Sequence, residues 1–155
     1  MKKVLTVLIL CLFVISLSGC GDLNEKYDDN EALVKSGDSN STRGASSTKI
    51  GNRLSVLRTT MTGSRTLWRY STNNDIDVTF SYSLSVTDGG KAKLVLITPD
   101  DEVIILAENT DNTTYNEMHS QTVSLRKGTN RIKIVGYDAP QFDLVLSVDV
   151  GNLSW

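Results

Sequence analysis

From residue 50 onward, apolar and polar positions alternate along the chain. The clearest case is residues 76–87. Ile76, Val78, Phe80, Tyr82, Leu84 and Val86 fall on one side, and Asp77, Thr79, Ser81, Ser83, Ser85 and Thr87 on the other. Successive side chains of a strand point to opposite faces, so this predicts a long strand with one buried and one wet face. Such a strand belongs in an antiparallel sheet. Asp88-Gly89-Gly90 predicts a turn, because both glycines accept positive φ. Residues 91–98 form the return strand, with Ala92, Leu94 and Leu96 toward the core and Val95 and Ile97 apolar on the other side. Pro99-Asp100-Asp101 predicts the next turn. Residues 102–108 follow, with Val103, Ile104, Ile105 and Leu106 almost continuous, as expected of a strand covered on both faces or lying at an interface. Residues 109–117 read as a polar loop, 120–125 as a short strand and 126–129 as its turn. Residues 130–136 run back with Ile132 and Ile134 inward and with Arg131 and Lys133 on a solvated face. After Asp138-Ala139-Pro140, residues 142–150 form the last long strand. Residues 54–61 and 66–71, separated by Gly63-Ser64, are earlier strands. The total is about eight strands, with no convincing helix after residue 50. This predicts an all-β domain over residues 50–155, a single antiparallel β-sandwich of jelly-roll or immunoglobulin-like topology.

Residues 1–49 break the pattern. Met1, Lys2 and Lys3 make a positive start, residues 4–15 are apolar apart from Thr6, and Ser16, Ser18 and Gly19 follow. This is the three-part layout of a secretory signal peptide over residues 1–19. Its apolar run, residues 4–17, is fourteen residues long, short of the ~20 that a membrane span needs. Residues 20–49 are rich in Ser, Thr, Asn and Gly, carry several carboxylates, and hold Tyr27 as their only aromatic. That composition buries too little apolar surface to offset the entropy of ordering, which predicts a flexible tether. The thin apolar side of residues 24–35 supports no more than a transient helix.

Leu17-Ser18-Gly19-Cys20 resembles the lipobox of bacterial lipoproteins, where a leucine stands three places before the cysteine and a small residue directly before it. The resemblance implies cleavage before Cys20, a diacylglyceryl thioether on its sulfur and acylation of the new amine. Two or more acyl chains hold a protein stably on a membrane. The implied location is the extracytoplasmic face of a plasma or outer membrane. Cys11 leaves with the leader and Cys20 is capped, so the mature chain has no free thiol and no disulfide. A second stretch, Thr122-Val123-Ser124-Leu125-Arg126-Lys127-Gly128-Thr129-Asn130-Arg131-Ile132-Lys133-Ile134, is similar to a strand pair of carbohydrate-binding jelly rolls. That likeness tilts the topology toward a jelly roll and assigns no sugar.

Sixteen basic and 18 acidic residues give a net charge of −2, which becomes more acidic once Lys2 and Lys3 leave. No nucleic-acid footprint is present. His119 is the single histidine. It reads as a solvated loop residue, with no nucleophile elbow nearby, and no catalytic residue is assigned. Asp75, Asp77, Asp100, Asp101 and Glu102 read as solvated turn carboxylates. There is no calcium loop of the Asp-x-Asp-x-Asp-Gly kind, and one histidine without a thiolate gives no zinc set. No metal or cofactor is expected. Aromatics carry the better lead. Trp68 and Tyr70 share one strand face, Tyr115 sits in the long loop and Tyr137 follows Gly136. Exposed, they would stack on sugars or anchor protein contacts; Trp68 buried would remove the strongest part of that lead. The resulting expectation is a lipid-anchored, non-catalytic binding module whose partner is a glycan or an envelope protein. The alternatives are a structural component of an envelope complex, with an apolar edge near residues 103–106, and a hydrolase with converging carboxylates or His119.

Overall fold

The computed structural model describes residues 22–110 and 115–155. The leader and Leu17, Ser18, Gly19 and Cys20 lie outside the described residues. Ten antiparallel strands follow one another: β1 (Ser39–Arg43), β2 (Ser46–Ile50), β3 (Arg53–Thr72), β4 (Ile76–Asp88), β5 (Lys91–Ile97), β6 (Val103–Asn109), β7 (Tyr115–Leu125), β8 (Gly128–Tyr137), β9 (Gln141–Val148) and β10 (Asn152–Leu153). No helix among the described residues is long and apolar enough to cross a membrane.

The 20-residue β3 joins the two layers of a β-sandwich. Its first part pairs with β9 from Arg53 to Thr60, and its second part with β8 from Gly63 to Thr72. The expected break at Gly63-Ser64 is therefore a bend within one strand. Gly63 holds φ +91°, and a Cβ there would collide with the Ser39 carbonyl oxygen of β1. The strand order β6-β5-β8-β3-β9-β4-β7 places β5, β6 and β8 in one layer and β4, β7 and β9 in the other. Strands β1, β2 and β10 add to the free side of β3.

Alternation does what the sequence pattern predicts. Val78, Phe80, Tyr82 and Leu84 of β4 are buried, as are Leu94 and Leu96 of β5, Ile132 and Ile134 of β8, and Phe142, Leu144 and Leu146 of β9. The Tyr82 hydroxyl donates to the Leu106 carbonyl (2.7 Å), and the Asn109 side-chain amide donates to the Leu84 carbonyl (2.6 Å), tying the layers together. On the wet face, hydroxyls of β4 and β7 bond one another: Thr79 to Thr122 and Ser81 to Ser120, both at 2.8 Å.

Three readings are corrected here. His119 stands on a strand, because β7 begins at Tyr115 and absorbs part of the expected loop. Residues 103–106 are covered only in part, Val103 packing under the strap and Ile104 and Leu106 on the main core, and they are not an apolar patch throughout. β6 is a sheet edge, with Leu106 buried and Ile105 half exposed at 51%.

The third correction is larger. From Asp22 on, the expected tether is docked. A 3-10 turn (Glu25–Tyr27), a four-residue helix α1 (Asn30–Leu33) and the residues up to 38 form a strap across the outer face of β5 and β8. Tyr27 and Leu33 are fully buried against Val95, Ile97 and Val135. Arg131 and Lys133, expected in water, are beneath the strap at 8% and 0% exposure. Four successive strap carbonyls accept from basic side chains: Val34 from Arg131 (2.6 Å), Lys35 and Gly37 from Lys133 (2.8 and 2.9 Å), and Ser36 from Arg69 (2.8 Å). Burial pushes the Lys133 ammonium below its ordinary range, and Asp38, 3.6 Å away, pulls it back up. Composition averages missed two things: two apolar side chains suffice when a prepared apolar patch awaits them, and buried cations satisfy a polar backbone that would otherwise stay in water.

Tyr27 gives the strap a pH limit. Burial, and then the Glu108 carboxylate that accepts its hydroxyl at 2.8 Å, push the phenol above its ordinary range. A free phenol ionises near pH ~10. The stability drawn from Tyr27 is therefore full below about pH 10 and falls as pH rises above it, because the undocked chain loses the proton first. Burial also holds the Tyr82 phenol above its ordinary range, so in an alkaline titration two tyrosines should ionise late, and the Tyr27 step should coincide with strap release. Tyr27→Phe should remove one of the late steps and leave that of Tyr82; a late titration unchanged by Tyr27→Phe would refute the coupling.

Candidate functional site

The structure does not gather the four candidate aromatics. Trp68 is 1% exposed. Its ring meets Phe80 edge-on at 5.3 Å and stacks on Tyr70 at 5.9 Å, and its indole N–H donates to the Val150 carbonyl at 2.7 Å. A register shift between Thr66 and Trp68 turns both Leu67 and Trp68 inward, which simple alternation could not foresee. Trp68 is core, and Tyr70 is half-buried packing against it. Tyr115 is half-buried at the start of β7, its ring edge-on to His119 at 5.0 Å. The hollow of about 390 Å³ beside Trp68 is bordered by Asp38 and Thr66, and the Asp38 carboxylate is already taken by the Thr66 amide and hydroxyl.

Of the four, Tyr137 alone is both exposed and at a concavity. Two adjoining hollows, of about 210 and 460 Å³, share Gly89, Gly90 and Thr110. Together they form an open groove at one end of the sandwich, with Asp88 and Asn109 at one side and Lys91 and Tyr137 at the other. The β4–β5 turn makes its floor. Gly90 is required there, since a Cβ would collide with the Tyr137 carbonyl oxygen. Tyr137 is 39% exposed, with its ring edge-on to Tyr27 at 5.8 Å. The Lys91 ammonium lies 4.3 Å from the Tyr27 ring centre and 5.2 Å from that of Tyr137, within cation–π range, and 3.8 Å from the Asp28 carboxylate. The strap thus orients one wall of the groove. Sequence reasoning named Gly89-Gly90 only as a turn and passed over Lys91. The available signal was the coincidence of a double-glycine turn with an aromatic–Asp–Ala–Pro turn.

Acid–base groups are distributed differently. His119 is exposed beside Tyr82 and Tyr115. The carboxylates of the β5–β6 turn are engaged by Arg126, at 3.3 Å from Asp100 and 3.9 Å from Glu102. Asp75 accepts the Lys127 amide at 2.8 Å. Among the described residues no group of three His, Cys, Asp or Glu is placed to hold a metal ion.

No protein-family model matches the chain, and no curated protein matches it. Among solved structures, it is similar to a mutant of a family 29 carbohydrate-binding module, with TM-score 0.37 and 13% identity over 73% of this chain and 76% of that one. It is also similar to the carbohydrate-binding module CBM6cm-2 of Cellvibrio mixtus lichenase 5A, solved with cellotriose, with TM-score 0.35 and 14% identity over 83% of this chain and 95% of that one. These scores are below those that establish a common fold, so a functional reading rests on the chain's own residues.

Proposed function

We propose that this chain is a non-catalytic binding module, held outside the cytoplasm through lipid on Cys20, whose groove beside Tyr137 takes a glycan. The carrying observation is the composition of the groove. An aromatic face is exposed at its wall, a double-glycine floor lets a ligand approach the backbone, and short polar groups stand opposite. A sugar ring has an apolar C–H face and a rim of hydroxyls. The ring of Tyr137 suits the first, and Asp88 and the turn backbone suit the second. The anchor is supported by the Leu17-Ser18-Gly19-Cys20 motif behind its apolar run.

The test uses the Cys20→Ser chain. It should leave the membrane fraction folded and be retained by at least one member of a panel of immobilised glycans. Tyr137→Ala in that chain should weaken retention ~10-fold without shifting the unfolding curve. Membrane retention of the serine variant would rule out the anchor; an empty panel, or indifference to Tyr137→Ala, would rule out the groove.

A second reading, a protein-interaction component of an envelope complex, is favoured by β6. Among the described strands it pairs with β5 alone, and it presents Ile105 at the sheet edge, where a partner strand could add.

A further inference from the structure

The docked strap carries a consequence for how the domain sits on its membrane. Only Gly21 separates Cys20 from Asp22, where the described structure begins. Two residues span at most ~7 Å and four at most ~14 Å. The fourth residue after Cys20 is Asn24, whose side-chain oxygen accepts the Asp138 amide at 2.8 Å. Asp138 follows Tyr137 of the groove, and Tyr27 lies against the Tyr137 ring at 5.8 Å. The far end of the sandwich, with Asp75, Asp100 and Lys127, is one strand length away, ~26 Å for the eight residues of β9. A lipid on Cys20 is therefore tied to the groove end and to no other.

Resting on the lipid anchor proposed above, we infer that the groove faces the chain's own bilayer, and that its ligand is the headgroup of a membrane lipid rather than a soluble polymer. Charge narrows the class. Asp22, Glu25, Asp88 and Asp138 are exposed at this end, against Lys26 and Lys91. Anionic headgroups are disfavoured by that balance, and an uncharged, hydroxylated sugar headgroup fits both the charge and the groove.

The experiment places a fluorophore on the lipidated chain through Asp88→Cys, at the groove, or through Lys127→Cys, at the far end. Each protein is held on phosphatidylcholine vesicles containing a headgroup-nitroxide lipid. The Asp88 label should lose most of its emission and the Lys127 label almost none. A flexible spacer of ~20 residues inserted between Gly21 and Asp22, with a reach of ~25 Å, should release the Asp88 label from quenching. Equal quenching of the two labels, or the reverse order, overturns the orientation while leaving the glycan panel result untouched. A product without lipid overturns the anchor and the orientation together. An empty glycan panel with the expected quenching sinks the sugar and keeps the orientation.

Discussion

Trp68→Ala should destabilise the domain by about 3–5 kcal/mol, the range for removing a large aromatic from a packed core. Trp68 is buried between Phe80 and Tyr70, and its indole N–H satisfies the Val150 carbonyl. The truncation leaves a cavity and an unpaired acceptor together. Gly151 sits so close that a Cβ there would come within 2.5 Å of the indole nitrogen, so the site is built around the full ring. Trp68→Phe keeps part of the packing and should cost less, with the loss of the Val150 hydrogen bond, about 1 kcal/mol, as its floor. Equilibrium unfolding in urea measures both. A Trp68→Ala midpoint close to the wild type would mean that the tryptophan is peripheral and would restore it as a ligand candidate.

Tyr27→Ala has the second large effect, of a different kind. Burial of the ring contributes about 2–3 kcal/mol, and it stabilises the strap rather than the sandwich. Local opening caps the cost: once the strap is free, further loss cannot be charged to it. The expected result is trypsin cleavage after Lys26 and Lys35 that is ~30-fold or more faster, with the main unfolding transition nearly in place. Both lysines lie on the strap, and the Lys35 carbonyl is one of those held by Lys133. Cleavage at the wild-type rate would show that the carbonyl–cation bonds alone hold the segment down.

Elements with strict alternation were legible. β4 and β9 follow their expected apolar faces because one buried face repeats every second residue over much of their length, whereas β8 keeps Ile132 and Ile134 inward but is buried on its other face too. Misreadings fell where a local irregularity or a distant partner decides. Gly63 reads as a break in one dimension and is a bend in three. The register shift at Thr66 and Trp68 hides the tryptophan, and this removed the leading site candidate. The strap, and with it the burial of Arg131 and Lys133, depends on a match between residues about a hundred positions apart, which no window of the sequence contains. Tyr137 was named among the candidates, but its setting beside Gly90 and Lys91 arises only when the turns of β4–β5 and β8–β9 meet.

The strap also orders events in time. Its contacts reach 81 residues downstream, from Tyr27 to Glu108, and 98, from Lys35 to Lys133. Contacts of such separation form late in folding, because their loop-closure entropy is repaid only when the far partner is in place. The portion synthesised first is thus the portion packed last.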